Sequence, residues 1–240
     1  LSLRKFHVDA HIEDGFARTT IDQTYFNHTH SRQEGTFKFP LPPDASLSRL
    51  AMYVNGKLME GGMVERDHGR NVFEQMMHTK RDPALLEWVD GSTFKMRVFP
   101  LEPRQEKRIV LSYTQRLPND YDRTEYRFPA GHSLDRVRDW STRLTVTNGA
   151  GKTHWFSPTH LLKATEDDGN LVLEGSLHNA VLDKDLVVEL TDAATKEADL
   201  SRQITETVAF SGAQHEGFNY QMLRFRPNLN GELQRPLRNW

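Results

Sequence analysis

Asp44-Ala45-Ser46-Leu47-Ser48 sets one carboxylate and two hydroxyls at alternate positions, a D-x-S-x-S string that offers hard oxygen ligands to Mg²⁺. Such a site needs the string on a loop that follows a buried, nearly all-apolar parallel strand. Here Pro40-Leu41-Pro42-Pro43 precedes it and a strand follows, so it reads as a turn and cap. His28-Thr29-His30 would put two imidazoles on one face of a strand, as a metal pair requires. Two ligands do not make a site, and His7 and His11 would join them only in a suitable strand register. Exposed, titrating histidines are the favoured reading. Gly131-His132-Ser133 begins like a nucleophile elbow, but G-x-S-x-G needs glycine where Asp135 stands. Among 33 acidic residues no pair stands out for glycoside hydrolysis. Trp88, Trp140, Trp155 and Trp240 are candidate sugar-stacking rings, with core or interface use the plainer reading. Asn27-His28-Thr29 spells a glycosylation sequon. The reading assigns no catalytic residue, no metal and no cofactor.

The elements that must position these residues are mostly strands. Phe6, Val8, Ala10 and Ile12 alternate with Lys5, His7, Asp9 and His11, which is the period of a half-buried strand. Asp14-Gly15 turns the chain, and Ala17 to Tyr25 alternates again, so the first two strands should pair antiparallel. Gly35 to Phe39 and Leu47 to Val54 read as strands, and Asn55-Gly56 turns the latter toward Lys57-Leu58-Met59. The period then changes. Val64, His68, Val72 and Met76 are spaced by four, with Phe73 and Met77 beside them, which predicts an amphipathic helix over 64–80. Pro83 stops it, since proline fixes its own φ and pushes Asp82 out of helical geometry. The stretch Arg81-Asp82-Pro83-Ala84-Leu85-Leu86-Glu87-Trp88 therefore joins helix to strand, and nothing in it is reactive.

Strands resume at Thr93 to Phe99 and Arg108 to Tyr113. Leu117-Pro118-Asn119-Asp120 is the best boundary, which divides the chain into 1–118 and 119–240. Beyond it, Thr142 to Thr147 is strand-like. His160 to Thr165 pairs with Leu171 to Leu177 across Asp167-Asp168-Gly169-Asn170, and Leu186 to Leu190 is a short apolar run. Ala193 to Leu200 reads as a linker, with strands at Glu206 to Phe210 and Tyr220 to Phe225.

Composition narrows the function classes. The 240 residues give room for one large β domain or two smaller ones. Charged residues are 27% with a net charge of −2 and mixed signs, which argues against a nucleic-acid surface. There is no cysteine, so disulfides, thiolate metal sites and cysteine nucleophiles are excluded. No apolar run approaches the roughly 20 residues of a membrane span. The chain starts on Leu1 and stops on Arg238-Asn239-Trp240, as a piece of a longer protein would.

One ordered string covers the first half: Glu34-Gly35-x-Phe37-x-Phe39-Pro40-Leu41-Pro42, Val54-Asn55-Gly56-Lys57, Val64-Glu65-Arg66, Arg81-Asp82-Pro83-Ala84-Leu85-Leu86-Glu87, Phe94 with Val98 and Pro100, and Leu111-x-Tyr113. In that order and spacing it resembles the vault protein inter-alpha-trypsin (VIT) domain. The resemblance implies an all-β fold, an antiparallel β-sandwich with one short helix over 1–118, followed by a second β-rich, sandwich-like region over 119–240. The closing Arg235-Pro236-Leu237-Arg238-Asn239-Trp240 is similar to the lead-in to a von Willebrand A domain. It implies a non-catalytic interaction module that precedes and positions such a domain, in a bacterial surface or secreted protein, with a protein partner and no nucleic acid or membrane insertion. A carbohydrate-binding or carbohydrate-active sandwich is the alternative. On this resemblance Asp82 bonds local backbone donors, Leu85 and Leu86 plug the sandwich, and Arg81 or Arg97 pairs with Glu87.

Overall fold

The structure, a computed structural model, describes residues 1–42, 44–54, 56–61, 66–78, 84–90, 93–120, 123–129, 133–192, 207–215 and 218–225. The chain divides into two compact units, Leu1–Thr195 and Lys196–Trp240. In the first, the alternating apolar face of β1 (Ser2–Glu13) is the centre of an eight-stranded sheet. Phe6, Val8, Ala10 and Ile12 are all buried on it. β2 (Phe16–Phe26) pairs antiparallel with β1 across the Asp14-Gly15 turn, where both residues take positive φ. β3 (Gln33–Pro40) leaves for another sheet. β4 (Ser46–Val54) and β5 (Lys57–Glu60) form the far edge, joined at Gly56 with φ of 76°, which glycine adopts without strain. α1 (Arg66–His78) is the one helix among the described residues.

β6 (Ala84–Asp90), β7 (Thr93–Leu101) and β3 make a three-stranded sheet in the order β3-β7-β6, with a cis Phe99–Pro100 bond in β7. β8 (Glu106–Arg116) lies between β2 and β4. β9 (Asn119–Asp120) and β10 (Arg123–Phe128) then open a third sheet. β11 (Ser133–Val146) returns to β1 and pairs with it in parallel, Phe6 opposite Trp140 and Ala10 opposite Leu144. β12 (Thr153–Phe156), β13 (Lys163–Asp167), β14 (Asn170–Leu182) and β15 (Leu186–Asp192) complete the unit. The orders are β13-β14-β11-β1-β2-β8-β4-β5 for the large sheet and β12-β15-β10-β9 for the third.

The fold is all-β and sandwich-like, as expected, and among the described residues its strand pairs are antiparallel except β1 with β11. Both small sheets lie on the same face of the large one. Phe128 of β10 packs on Phe6, ring centroids 5.9 Å apart, and Phe37 of β3 packs on Tyr25 at 4.2 Å. The expected boundary at 118 falls at a turn inside this first unit, because β11 and β14 extend the sheet that β1 and β2 begin. In the second unit, β16 (Thr207–His215) and β17 (Phe218–Phe225) form an antiparallel hairpin with a bulge between Ser211 and Gln214.

Asn27 closes the loop between β2 and β3 and is 1% exposed. Its amide nitrogen donates to the Ser31 and Leu101 carbonyls at 2.9 and 2.8 Å, and its Oδ1 accepts from the Thr29 amide and hydroxyl. The sequon's acceptor nitrogen is thus engaged in the folded core and not offered to a glycan. Asn27→Ala leaves these groups without their side-chain partner, at a cost of roughly 2–4 kcal/mol. Urea denaturation should show a lower midpoint at unchanged slope; an unchanged midpoint would contradict the assignment.

His160 stacks on Trp140 at 5.0 Å, and burial, with Lys184 adding to it and Asp183 opposing, holds the imidazole below its usual value. The unfolded chain therefore takes up this proton first, as pH falls through about 6.5. The contribution of neutral His160 is complete above that pH and is lost as pH falls toward the lowered folded value. Between pH 7 and 5 the wild type should lose unfolding free energy more steeply than His160→Gln, and parallel curves would contradict this.

Candidate functional site

Two residues of the family-like string, Glu34 and Glu87, lie where α1 meets the three-stranded sheet. Glu34 on β3 accepts a hydrogen bond from Nε of Arg97 on β7 at 2.5 Å. The same guanidinium lies over the Phe73 ring of α1, 4.5 Å from its centroid. The Glu34 hydrogen bond is the main cause that raises the Arg97 pKa, with the Glu74 and Glu87 carboxylates adding to it. Glu87 on β6 is 8% exposed and forms an ion pair with Arg70 of α1. Of the two partners expected for Glu87, Arg97 is hydrogen-bonded to Glu34 and meets Glu87 through charge alone, and Arg81 lies outside the described residues. Arg70 is itself 44% exposed, so solvent screens the pair and its value lies in positioning the helix.

Two further expectations change. Leu85 and Leu86 are neighbours on a strand, and a strand sends neighbours to opposite faces. Leu86, with Ala84, packs against the core, whereas Leu85 shares the other face with Glu87. Among the described side chains of α1 the buried one is Phe73, at 2%, while Val72 of the expected stripe is 37% exposed. Elsewhere the string is structural. Phe37 and Phe94 pack on the core, Pro100 is buried, and Pro40 ends β3 opposite Thr93. A Cβ on Gly35 would stand 2.6–2.7 Å from the Phe37 ring and the Leu101 side chain, so a larger residue there would require those side-chain ends to shift. Tyr113 is fully buried; its hydroxyl has no well-aligned hydrogen bond among the described residues but lies close enough to Thr19 and Tyr126, whose hydroxyls are 3.0 Å apart across the two layers, to feel both. Burial raises the pKa of both phenols. Asn55, Glu65, Arg81, Asp82 and Pro83 lie outside the described residues.

The chemical lookalikes are dispersed. His28 and His30 sit in a loop, His28 bonded to Ser2 at 2.7 Å and His30 accepting from Arg104 at 3.1 Å. His7 and His11 point to the outer face, toward Ser141 and Thr147. Among the described residues no three His, Asp or Glu side chains gather as a metal site. Asp44, Ser46 and Ser48 are all exposed, the serines on the edgeward strand β4. Trp140 is 4% exposed and Trp155 packs against the core, so neither ring stands free; the Trp88 and Trp240 side chains and the Gly131-His132 pair lie outside the described residues.

A concave site does exist, and the sequence reading missed it. A groove of about 550 Å³ opens where the ends of β3, β8 and β10 meet. Leu41, Leu117 and three prolines, Pro42, Pro118 and Pro129, make its apolar surface. Gln115, Asp44, Arg116, Asn119, Glu125 and Arg127 supply its polar groups. The available signal was parity. Ile109, Leu111 and Tyr113 mark the inward face of β8, and Gln115 is the polar residue that continues it.

Residues 3–113 match the family model of the Vault protein inter-alpha-trypsin domain. Over 115 residues, 48% of the chain, the sequence is 25% identical to the protein mono-ADP-ribosyltransferase PARP4 of Mus musculus, of which it covers 6%. Over 116 residues it is 21% identical to a von Willebrand factor A domain-containing protein of Dictyostelium discoideum, covering 12% of that protein. The chain thus spans a small fraction of these relatives. Among solved structures, an M1 zinc metallopeptidase from Deinococcus radiodurans aligns with a TM-score of 0.47 at 11% identity, over 78% of this chain and 41% of that one.

Phe73→Ala should cost about 3–5 kcal/mol, the range for a buried ring, and release α1. Hydrogen exchange should then show the Arg66–His78 amides losing protection while β1 and β2 keep theirs. Val72→Ala should change stability by less than about 1 kcal/mol. Equal effects of the two substitutions would refute the packing described.

Proposed function

We propose, from the match of residues 3–113 to the VIT family model, that this chain is a non-catalytic protein-interaction module that precedes and positions a von Willebrand A domain in a larger surface or secreted protein. The observation that carries the reading is the VIT match, together with its recurrence in a relative whose name includes a von Willebrand factor A domain. The arrangement of the string supports it. Phe37, Leu86, Phe94, Pro100 and Tyr113 pack in or against the interior, and Glu34 and Glu87 fix arginines at the helix–sheet corner. These side chains build a rigid surface rather than a reaction centre. Recognition on such a surface would use shape, strand edges and grooves.

On this reading the parent's frame continues past residue 240 into an A domain. That domain, purified alone, should bind the immobilised 1–240 chain saturably in surface plasmon resonance. A frame without an A domain, or an A domain that shows no binding and tumbles independently in the parent by small-angle scattering, would overturn the positioning role.

A further inference from the structure

The groove between the ends of β3, β8 and β10 is built before anything occupies it. The Leu117 amide donates to the Gly15 carbonyl at 2.9 Å, Glu125 to Pro118 at 3.1 Å, and Ala45 to Pro42 at 3.0 Å. Leu41 and Leu117 are each 3% exposed and form its apolar base. Prolines 42, 118 and 129 add ring surface and have no N–H of their own. A preformed apolar groove loses little conformational freedom when it is filled.

One polar side chain turns its amide into the groove from an otherwise apolar strand face. Gln115 is 4% exposed, opposite Ala17 in the sheet, and faces inward with Tyr113 and Leu111. Among the described residues its carboxamide has no hydrogen-bond partner, yet it lines the groove. The amide atoms reach solvent only through the groove, so a segment that fills the groove takes the place of water on them and must supply their bonds in return. The carboxamide offers an acceptor oxygen and a donor N–H side by side. The matching group is a main-chain peptide unit, which presents N–H and C=O in return. Charge at the rim extends the match. Arg127 is already paired with Glu125 at 3.1 Å and with Asp185 at 3.3 Å. Asp44 and Arg116 are exposed and have no ion pair with a described residue.

We infer that the groove binds an extended segment of a partner polypeptide, one main-chain amide of which pairs with the Gln115 carboxamide, while an acidic and a basic side chain of the segment meet Arg116 and Asp44. The inference rests on the interaction-module reading and gives it a location and a ligand chemistry.

The test uses the full 1–240 chain. A displayed library of random linear dodecapeptides is selected on it, and the most enriched peptide is synthesised as the probe for fluorescence anisotropy. Gln115→Met keeps the side chain's length and removes both bonding groups, and should weaken the probe about tenfold or more. Arg116→Ala and Asp44→Ala should each weaken it a few-fold, less so at high salt. Single N-methylation of each peptide amide, read against the unaltered protein, should find one position that costs a similar factor. That position should cost nothing further against Gln115→Met. This last comparison keeps the inference testable if a groove variant unfolds early. No enrichment, or a probe that binds Gln115→Met and every N-methylated form as the wild type binds the parent peptide, overturns the inference. The A-domain binding measurement separates the two readings: if it persists in Gln115→Met while no peptide is selected, the groove inference alone fails. If peptides bind and the A domain does not, the positioning role alone fails.

Discussion

β1 has two edges and one apolar face, and all three must be covered at once. A twelve-residue strand left with an open edge would present a row of unpaired amides and carbonyls, a template for aggregation. β2 covers one edge through the local hairpin, and β11, more than a hundred residues later in the chain, covers the other. Both pairings set residues of like polarity side by side, so the faces of Phe6, Trp140 and Leu144 run together and can be buried as one surface. The two smaller sheets bury it. The architecture of Leu1–Thr195 follows from that single requirement.

Around this core the polar groups serve register and attachment. Asn27 ties the β2–β3 loop to Leu101, and the Thr19–Tyr126 hydroxyl pair links two layers through an otherwise apolar interior. Charge pairs such as Arg70 with Glu87 and Arg97 with Glu34 collect where α1 rests on the sheet. They are partly solvated, whereas Phe73 is buried and, among the described side chains of α1, gives the helix its apolar hold. The result is a body whose distinctive residues are engaged inside it, with its concavity at the strand ends.

The legible parts of the fold were those governed by short-range rules. Alternation from Phe6 to Ile12 and the Asp14-Gly15 turn specified the first hairpin, and Asp168-Gly169 marked the turn that joins β13 to β14, though the strands run from Lys163 and Asn170. The four-residue spacing found the helix and placed Phe73 beside its stripe, but did not tell that Phe73 would be buried and Val72 of the stripe 37% exposed, because such a stripe does not say which flank meets the sheet. The parallel pairing of β1 with β11 was not legible, since nothing near Trp140 refers to Phe6 and the match exists only once the chain has closed. β10 was missed for a related reason: only Tyr126 and Phe128 of its six residues are fully buried, amid charged neighbours. Gln115 had a local signal, a polar residue on the apolar parity of β8, but its meaning depends on Leu41 and Pro129, which come from other elements.

The central claim is that β1 depends on β11, so that the family-matched segment does not complete its own sheet. Hydrogen exchange on β1 in the full chain and in a 1–118 truncation tests this most directly. The account predicts that the alternate β1 amides directed at β11 are strongly protected in the full chain and exchange rapidly in the truncation, or that the truncation self-associates through that edge. A monomeric 1–118 fragment with the full-chain protection pattern on β1 would contradict it.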